Sequence, residues 1–201
     1  VAFSPAGNEQ WFRRIGGGGS ILAGDLCHSD GTLWLCGGQT GNNLVFGNTT
    51  TAIASAYPHS AFAIGFTAQG QVAAQRTVGS DHAIRATGID VRGGEVLLGG
   101  DFACQALELS QLNGGDGLLL SWGGENGWAC VLDLADGLAV TYAQMLADHE
   151  AMNLRGVVFG TANTLFGVGE FADDLIIPAI ETKLRALPGD SLVVIGPNGA
   201  D

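Results

Sequence analysis

The chain has 201 residues, of which 46% are hydrophobic and 14% charged, long enough for one domain to bury about 70% of the surface its unfolded chain exposes without help from disulfides or metals. Twenty Asp and Glu against eight Lys and Arg give a net charge of −12. That balance repels phosphate backbones and anionic headgroups, so nucleic acid is not an expected partner. No apolar run approaches the roughly 20 residues of a membrane helix, so no membrane insertion is expected.

In chain order, short apolar runs alternate with glycine turns. The first is AFSPAGNEQWFRRIGG (2 to 17), in which strand alternation places Trp11 with Arg13 and Phe12 with Arg14. The Gly16 to Gly19 tetrad with Ser20 follows; it falls where later segments carry TVGS and LADH, so it belongs to the native pattern. Next comes the hairpin LAGDLCHSDGTLWLCGG (22 to 38), turning at Asp30-Gly31. Its Cys27 faces Trp34 and its Cys36 faces Asp25, which leaves the two cysteines diagonal on one face. A bridge there needs distortion, and free thiols are the alternative. Asn48-Thr49-Thr50 is an N-glycosylation sequon, of consequence only in a eukaryotic secretory setting.

The same pairing of segment and hairpin then returns. FAIGFTAQGQVAAQRTVG (62 to 79) and LLLSWGGENGWACVLDL (118 to 134) repeat the first segment. ATGIDVRGGEVLLGGDF (86 to 102) and LRGVVFGTANTLFGVGEF (154 to 171) repeat the hairpin, and LVVIGPNGAD (192 to 201) starts the pattern once more. Three glycine series keep step: Gly7, Gly70, Gly127 and Gly199; Gly24, Gly88 and Gly156; Gly38, Gly100 and Gly169. The chain is thus one repeat domain, 1–201, with units near 1–60, 61–116 and 117–190 and a partial unit at 191–201. Helix is expected only over Ala143 to Met152 and, more weakly, over Ile180 to Leu187. Units of four short antiparallel strands that cannot cover their own faces must stack on neighbours. The expected fold is therefore all-β, a propeller-like array of about three four-stranded blades plus the first strand of a fourth.

AFAIGFTAQGQV (61 to 72), Trp11 and Trp128, Ile15-Gly16-Gly17 and GIDVRGGEVLLGGDF (88 to 102) resemble the bacterial seven-bladed β-propeller (SBBP-type) repeats. The resemblance covers nearly the whole chain, which departs from it in blade number and at LADGLAVTYAQMLADHE (134 to 150). It implies a secreted or cell-surface bacterial setting and brings no catalytic residues. The chain starts at Val1 with no basic or apolar leader pattern, which reads as a mature or excised product.

Chemistry-bearing residues are few. Asp81-His82 and Asp148-His149 recur at similar places, and an acid beside an imidazole can orient a general base; adjacent loop residues point apart, so solvated pairs are expected. Acids follow the exit glycines as Asp101 and Glu170, with Gln39 in the first unit. A ring of such positions could hold Ca²⁺, although no calcium-loop motif occurs. Glu170, Asp173, Asp174 and Glu181 suit a solvated face. Cys27, Cys36, Cys104 and Cys130 lack metal-ligand spacing, and a Cys104 to Cys130 bridge is open.

No catalytic, cofactor or metal residues and no cofactor are expected. The expected function is a non-catalytic structural or interaction module, extracellular or on the cell surface, within a larger assembly or homo-oligomer. The alternative is a glycan-binding or glycan-hydrolysing module using Asp101, Glu170 and an exposed Trp122 or Trp128. An unpaired apolar strand is an aggregation hazard, so Leu192, Val193, Val194 and Ile195 are expected to pair with material outside the chain.

Overall fold

The computed structural model describes residues 2–41, 43–46, 49–52, 58–103, 106–108, 118–120, 126–145, 152–161, 164–171, 174–177, 182–185 and 191–195. Every strand pairing among them is antiparallel, and no helix occurs among the described residues. A short hairpin of β1 (Ala2–Phe3) and β2 (Glu9–Trp11) leads through β3 (Ile15–Gly17) to β4 (Ile21–Ser29) and β5 (Thr32–Thr40). After an inserted hairpin, β6 (Asn43–Phe46) and β7 (Thr49–Ala52), come β8 (His59–Phe66) and β9 (Val72–Ser80). The order β4-β5-β8-β9 is one four-stranded meander, and β10 (Ile84–Arg92) and β11 (Glu95–Phe102) open the next. A second insert, β12 (Ala106–Glu108) and β13 (Leu118–Leu120), precedes β14 (Asn126–Asp133) and β15 (Ala139–Met145), which complete β10-β11-β14-β15. The third sheet joins β16 (Met152–Phe159) and β17 (Leu165–Phe171) to β20 (Ser191–Ile195) across the insert β18 (Asp174–Ile177) and β19 (Thr182–Arg185).

The local sequence explains these elements. Asp30-Gly31 and Gly93-Gly94 carry φ of 51° and 75°, and of 61° and 87°, the left-handed values that a two-residue hairpin turn of matching twist requires. The β8 segment HSAFAIGF and the β14 segment NGWACVLD are almost wholly buried, since each lies inside its sheet with both faces covered.

Sheets and repeat units are out of phase. The hairpin of each unit pairs with the strands that open the following unit, so the three sheets run over 21–80, 84–145 and 152–195. The inserts carry the repeat too. β6 pairs with β3 (Gly16 opposite Val45, Gly17 opposite Leu44), and β12 pairs with β9 (Gly79 opposite Glu108, Ser80 opposite Leu107), the same contacts 63 residues apart. The second insert thus extends the fourth strand of the sheet before it and the first extends β3 in the same register, whereas β18 and β19 pair only with each other among the described residues.

The sheets stack face to face, with a main core of Trp34, Ala63, Ile89, Val96, Leu98, Trp128 and Leu132 between the first two. A smaller core on the other side of the first sheet gathers Leu44, Phe62, Ile64 and Phe66 under Trp11 and Ile15. Trp11 lies 5.9 Å from the Phe66 ring, and its indole N–H donates to the Ala68 carbonyl at 3.0 Å.

The first strands of the three sheets, β4, β10 and β16, meet backbone to backbone. A Cβ on Gly24 would collide with the Ala86 carbonyl oxygen, and one on Gly88 would lie 2.6 Å from the Val157 nitrogen. Polar links follow the same seam. The Ile89 N–H donates to Asp25 at 3.4 Å, the Phe159 N–H to Asp90 at 2.8 Å, and the Thr87 hydroxyl to the Leu154 carbonyl.

The structure corrects several expectations. Ala143 and Gln144 belong to strand β15, Met152 to β16 and Thr182–Arg185 to β19, so the two helical segments are not formed where described. Short polar strands at a sheet edge share a composition with exposed helix, and pairing decides between them. Leu192, Val193, Val194 and Ile195 are not an unpaired strand opening a fourth sheet. They form the third strand of the third sheet, with Val193 opposite Gly169 and Val194 opposite Val168 of β17, so one edge is satisfied within the chain.

The glycine series also shift. Gly7, Gly70 and Gly137 share the positive-φ turn position, whereas Gly127 is inside β14 opposite Asp101. Gly88 and Gly156 both follow a one-residue bulge, where the first sheet places Asp25 beside Gly24. Gly100 and Gly169 correspond by pairing to Gly37, not Gly38.

Candidate functional site

The one place where charged side chains gather at a surface recess, among the described residues, is the end of the stack where the first strands begin. In the second sheet Arg85 of β10 stands opposite Asp101 of β11, and its Nε donates to both carboxylate oxygens at 3.0 Å. In the third sheet Arg155, the bulged residue of β16, donates to Glu170 of β17 at 2.9 Å. The hydrogen bond from Arg155 to Glu170 and the Glu170 charge, with a smaller contribution from Asp101, raise the pKa of the Arg155 guanidinium. The result is a row of alternating charge, Arg85, Asp101, Arg155, Glu170.

Two recesses of about 280 Å³ each flank Arg85. One, between the first and second sheets, is walled by Ser20, Gln39, Thr40, His59, Arg85 and Asp101. The other lies between Leu22-Ala23-Gly24 and Ala86-Thr87 and reaches Arg155. Both carboxylates are paired with a guanidinium, an arrangement that ties neighbouring strand ends together. Among the described residues no group of three or more His, Cys, Asp or Glu side chains converges on a common point.

The expected residues are thereby placed. Asp101 and Glu170 do occupy equivalent positions, but their counterpart in the first sheet is Gly38, since Gly38 stands opposite Leu22 as Asp101 stands opposite Arg85. Gln39 is one residue further on, 4% exposed, with its amide N–H donating to the Gly41 carbonyl at 3.2 Å. The acids therefore do not extend as a ring through the first sheet. His82 Nδ1 lies 3.3 Å from Asp81 in the exposed connection between β9 and β10. Trp128 is fully buried and cannot serve as a platform for a sugar. Asp148, His149, Asp173, Glu181, Trp122, Cys104 and Asn48 lie outside the described residues or have side chains outside them.

Cys27, Cys36 and Cys130 are free thiols, so Cys130 is not bridged to Cys104. Burial pushes the Cys27 thiol up to about 11, with Asp90 and Asp25 adding to the shift, and pushes Cys36 and Cys130 up to about 12. The Cys36 thiol donates to the Ala86 carbonyl at 3.6 Å, another link between the first two sheets. These thiols are packing groups, protonated at neutral pH.

A pH dependence follows. An unfolded chain releases these protons near pH 9 while the folded chain keeps them, so stability is fully present below pH 9 and is lost as pH rises toward 12. Urea unfolding above pH 9 should lose about 1.4 kcal/mol per pH unit for each of Cys36 and Cys130. A Cys36→Ala, Cys130→Ala variant should lose that share of the slope; an unchanged slope would show that the thiols are not held in this way.

Asp25 and Asp90, which tie one first strand to the next, are absent from the sequence-based candidates. Their signal is nonetheless present, as single acids inside apolar alternation in LAGDLC and GIDVR. No family model and no curated protein matches this chain.

Proposed function

We propose that this chain is a β-propeller-like module, with the three sheets as blades, and that it acts as a non-catalytic scaffold outside the cell or on its surface. The observation that carries this is the seam of β4, β10 and β16, where equivalent bulged strands from successive sheets approach at Gly24 and Gly88. In a radial array the strands nearest the axis approach one another in this way, which supports the reading. The SBBP-type resemblance of the repeats supports the extracellular setting. Arg85 and Arg155 neutralise the two acids best placed for chemistry, which favours a structural role for that end of the stack.

Electron microscopy of the native assembly should show sheets radiating from one axis lined by β4, β10 and β16; a straight pile of sheets would overturn the radial arrangement. A panel of chromogenic glycosides should give no turnover. Turnover abolished by Asp101→Asn or Glu170→Gln would replace the scaffold with a glycan hydrolase.

A further inference from the structure

We propose that the outer face of the third sheet receives a second copy of this chain, whose first sheet docks there head to tail. This rests on the stacked-sheet reading above and adds the identity of the partner.

Each sheet has one face directed to the sheet before it and one to the sheet after it. On the forward face, the first sheet buries Trp34 and Cys36 against the second, and the second buries Leu97 and Ala129 against the third. The third sheet's forward face carries Val158, Phe166 and Val168, which are 49%, 40% and 37% exposed. Val158 and Phe166 stand opposite each other across β16 and β17, and Val168 stands opposite Gly156, so the three form one patch.

The opposite end of the stack shows the complementary deficit. On the backward face the second sheet buries Ile89, Val96 and Leu98. The residues paired in the same register in the first sheet are Leu26, Leu33 and Leu35; Leu26 is 61% exposed and the other two are only partly buried. Trp11 and Ile15 cover the first sheet over β8, while Leu22 and Leu26 of β4 stay exposed. One molecule thus exposes both halves of an interface that it forms twice internally. A contact joining unlike ends is heterologous, so it can propagate or close into a ring.

The test is light scattering of the full chain from low micromolar to several hundred micromolar, with Val168→Asp and Leu26→Asp variants that circular dichroism shows to be folded. The wild type should grow from monomer to dimer and beyond. Each variant alone should raise the concentration at half-association about tenfold or more, because a charge would enter an apolar contact. An equimolar mixture of the two should recover a dimer, since it retains one intact face of each kind.

A wild type that stays monomeric, variants that associate as it does, or a mixture that stays apart would overturn the docking. Should either Asp variant unfold, Val158→Lys and Leu26→Lys repeat the test. A monomer whose stability still depends on Gly88 would overturn the docking while leaving the stack in place.

Discussion

Replacing Gly88 with valine should destabilise the chain by about 3 kcal/mol or more and lower Tm by roughly 6–12 °C, because the added side chain must push apart a pair of backbones that cannot move separately. Its Cβ would lie 2.6 Å from the Val157 nitrogen and 2.8 Å from the Gly156 Cα, both on the neighbouring sheet. Gly24→Val should act in the same way against the Ala86 carbonyl. The comparison is Gly93→Ala. That glycine has a φ of 61° with open space around it, so the change should cost only the backbone strain, about 1–2 kcal/mol. Calorimetry that ranks Gly93→Ala above Gly88→Val would mean that the first strands are not in contact.

The second large effect is at Trp128, the largest fully buried side chain among the described residues, set between the first and second sheets. Trp128→Ala should cost about 3–5 kcal/mol, the usual range for removing a buried aromatic group. Trp128→Phe should cost much less than its lost volume suggests. The indole Nε1 is buried with no hydrogen-bond partner among the described residues, and phenylalanine removes that unsatisfied donor while filling most of the space. Urea unfolding distinguishes the outcomes: equal losses for the two variants would show that the indole N–H is satisfied in solution.

Periodicity makes the strand content, the two-residue turns at Asp30-Gly31 and Gly93-Gly94, and the equivalence of Asp101 with Glu170 readable in the sequence. The grouping of strands into sheets is not. A repeat has no marked beginning, so whether β8 opens a sheet or occupies its third place depends on pairing between residues distant along the chain, such as Cys36 opposite Ala63. Asn126-Gly127 carries a strong hairpin signal, yet the tertiary context makes that dipeptide the start of a buried strand. The Ala143 stretch departs from expectation through the same cause, weak local preference overridden by an available edge. At the candidate site, the acids can be seen but not their arginines, since Arg85 and Arg155 are 16 and 15 residues from their partners and one of them sits in a bulge that shifts the count.

The offset between repeat unit and sheet has a genetic consequence. Because every sheet takes its first two strands from one unit and its later strands from the next, the units overlap like courses of brick laid in running bond. Unequal crossing-over between two copies at matching points, wherever in the unit it falls, removes or adds one whole sheet and leaves the others complete. Among the described residues each sheet packs mainly on its nearest neighbours, so the new junction rebuilds the same seam from an equivalent pair of faces. The number of sheets can therefore change without passing through a half-built intermediate, while each junction keeps a close backbone approach at a glycine, Gly24 at the first and Gly88 at the second.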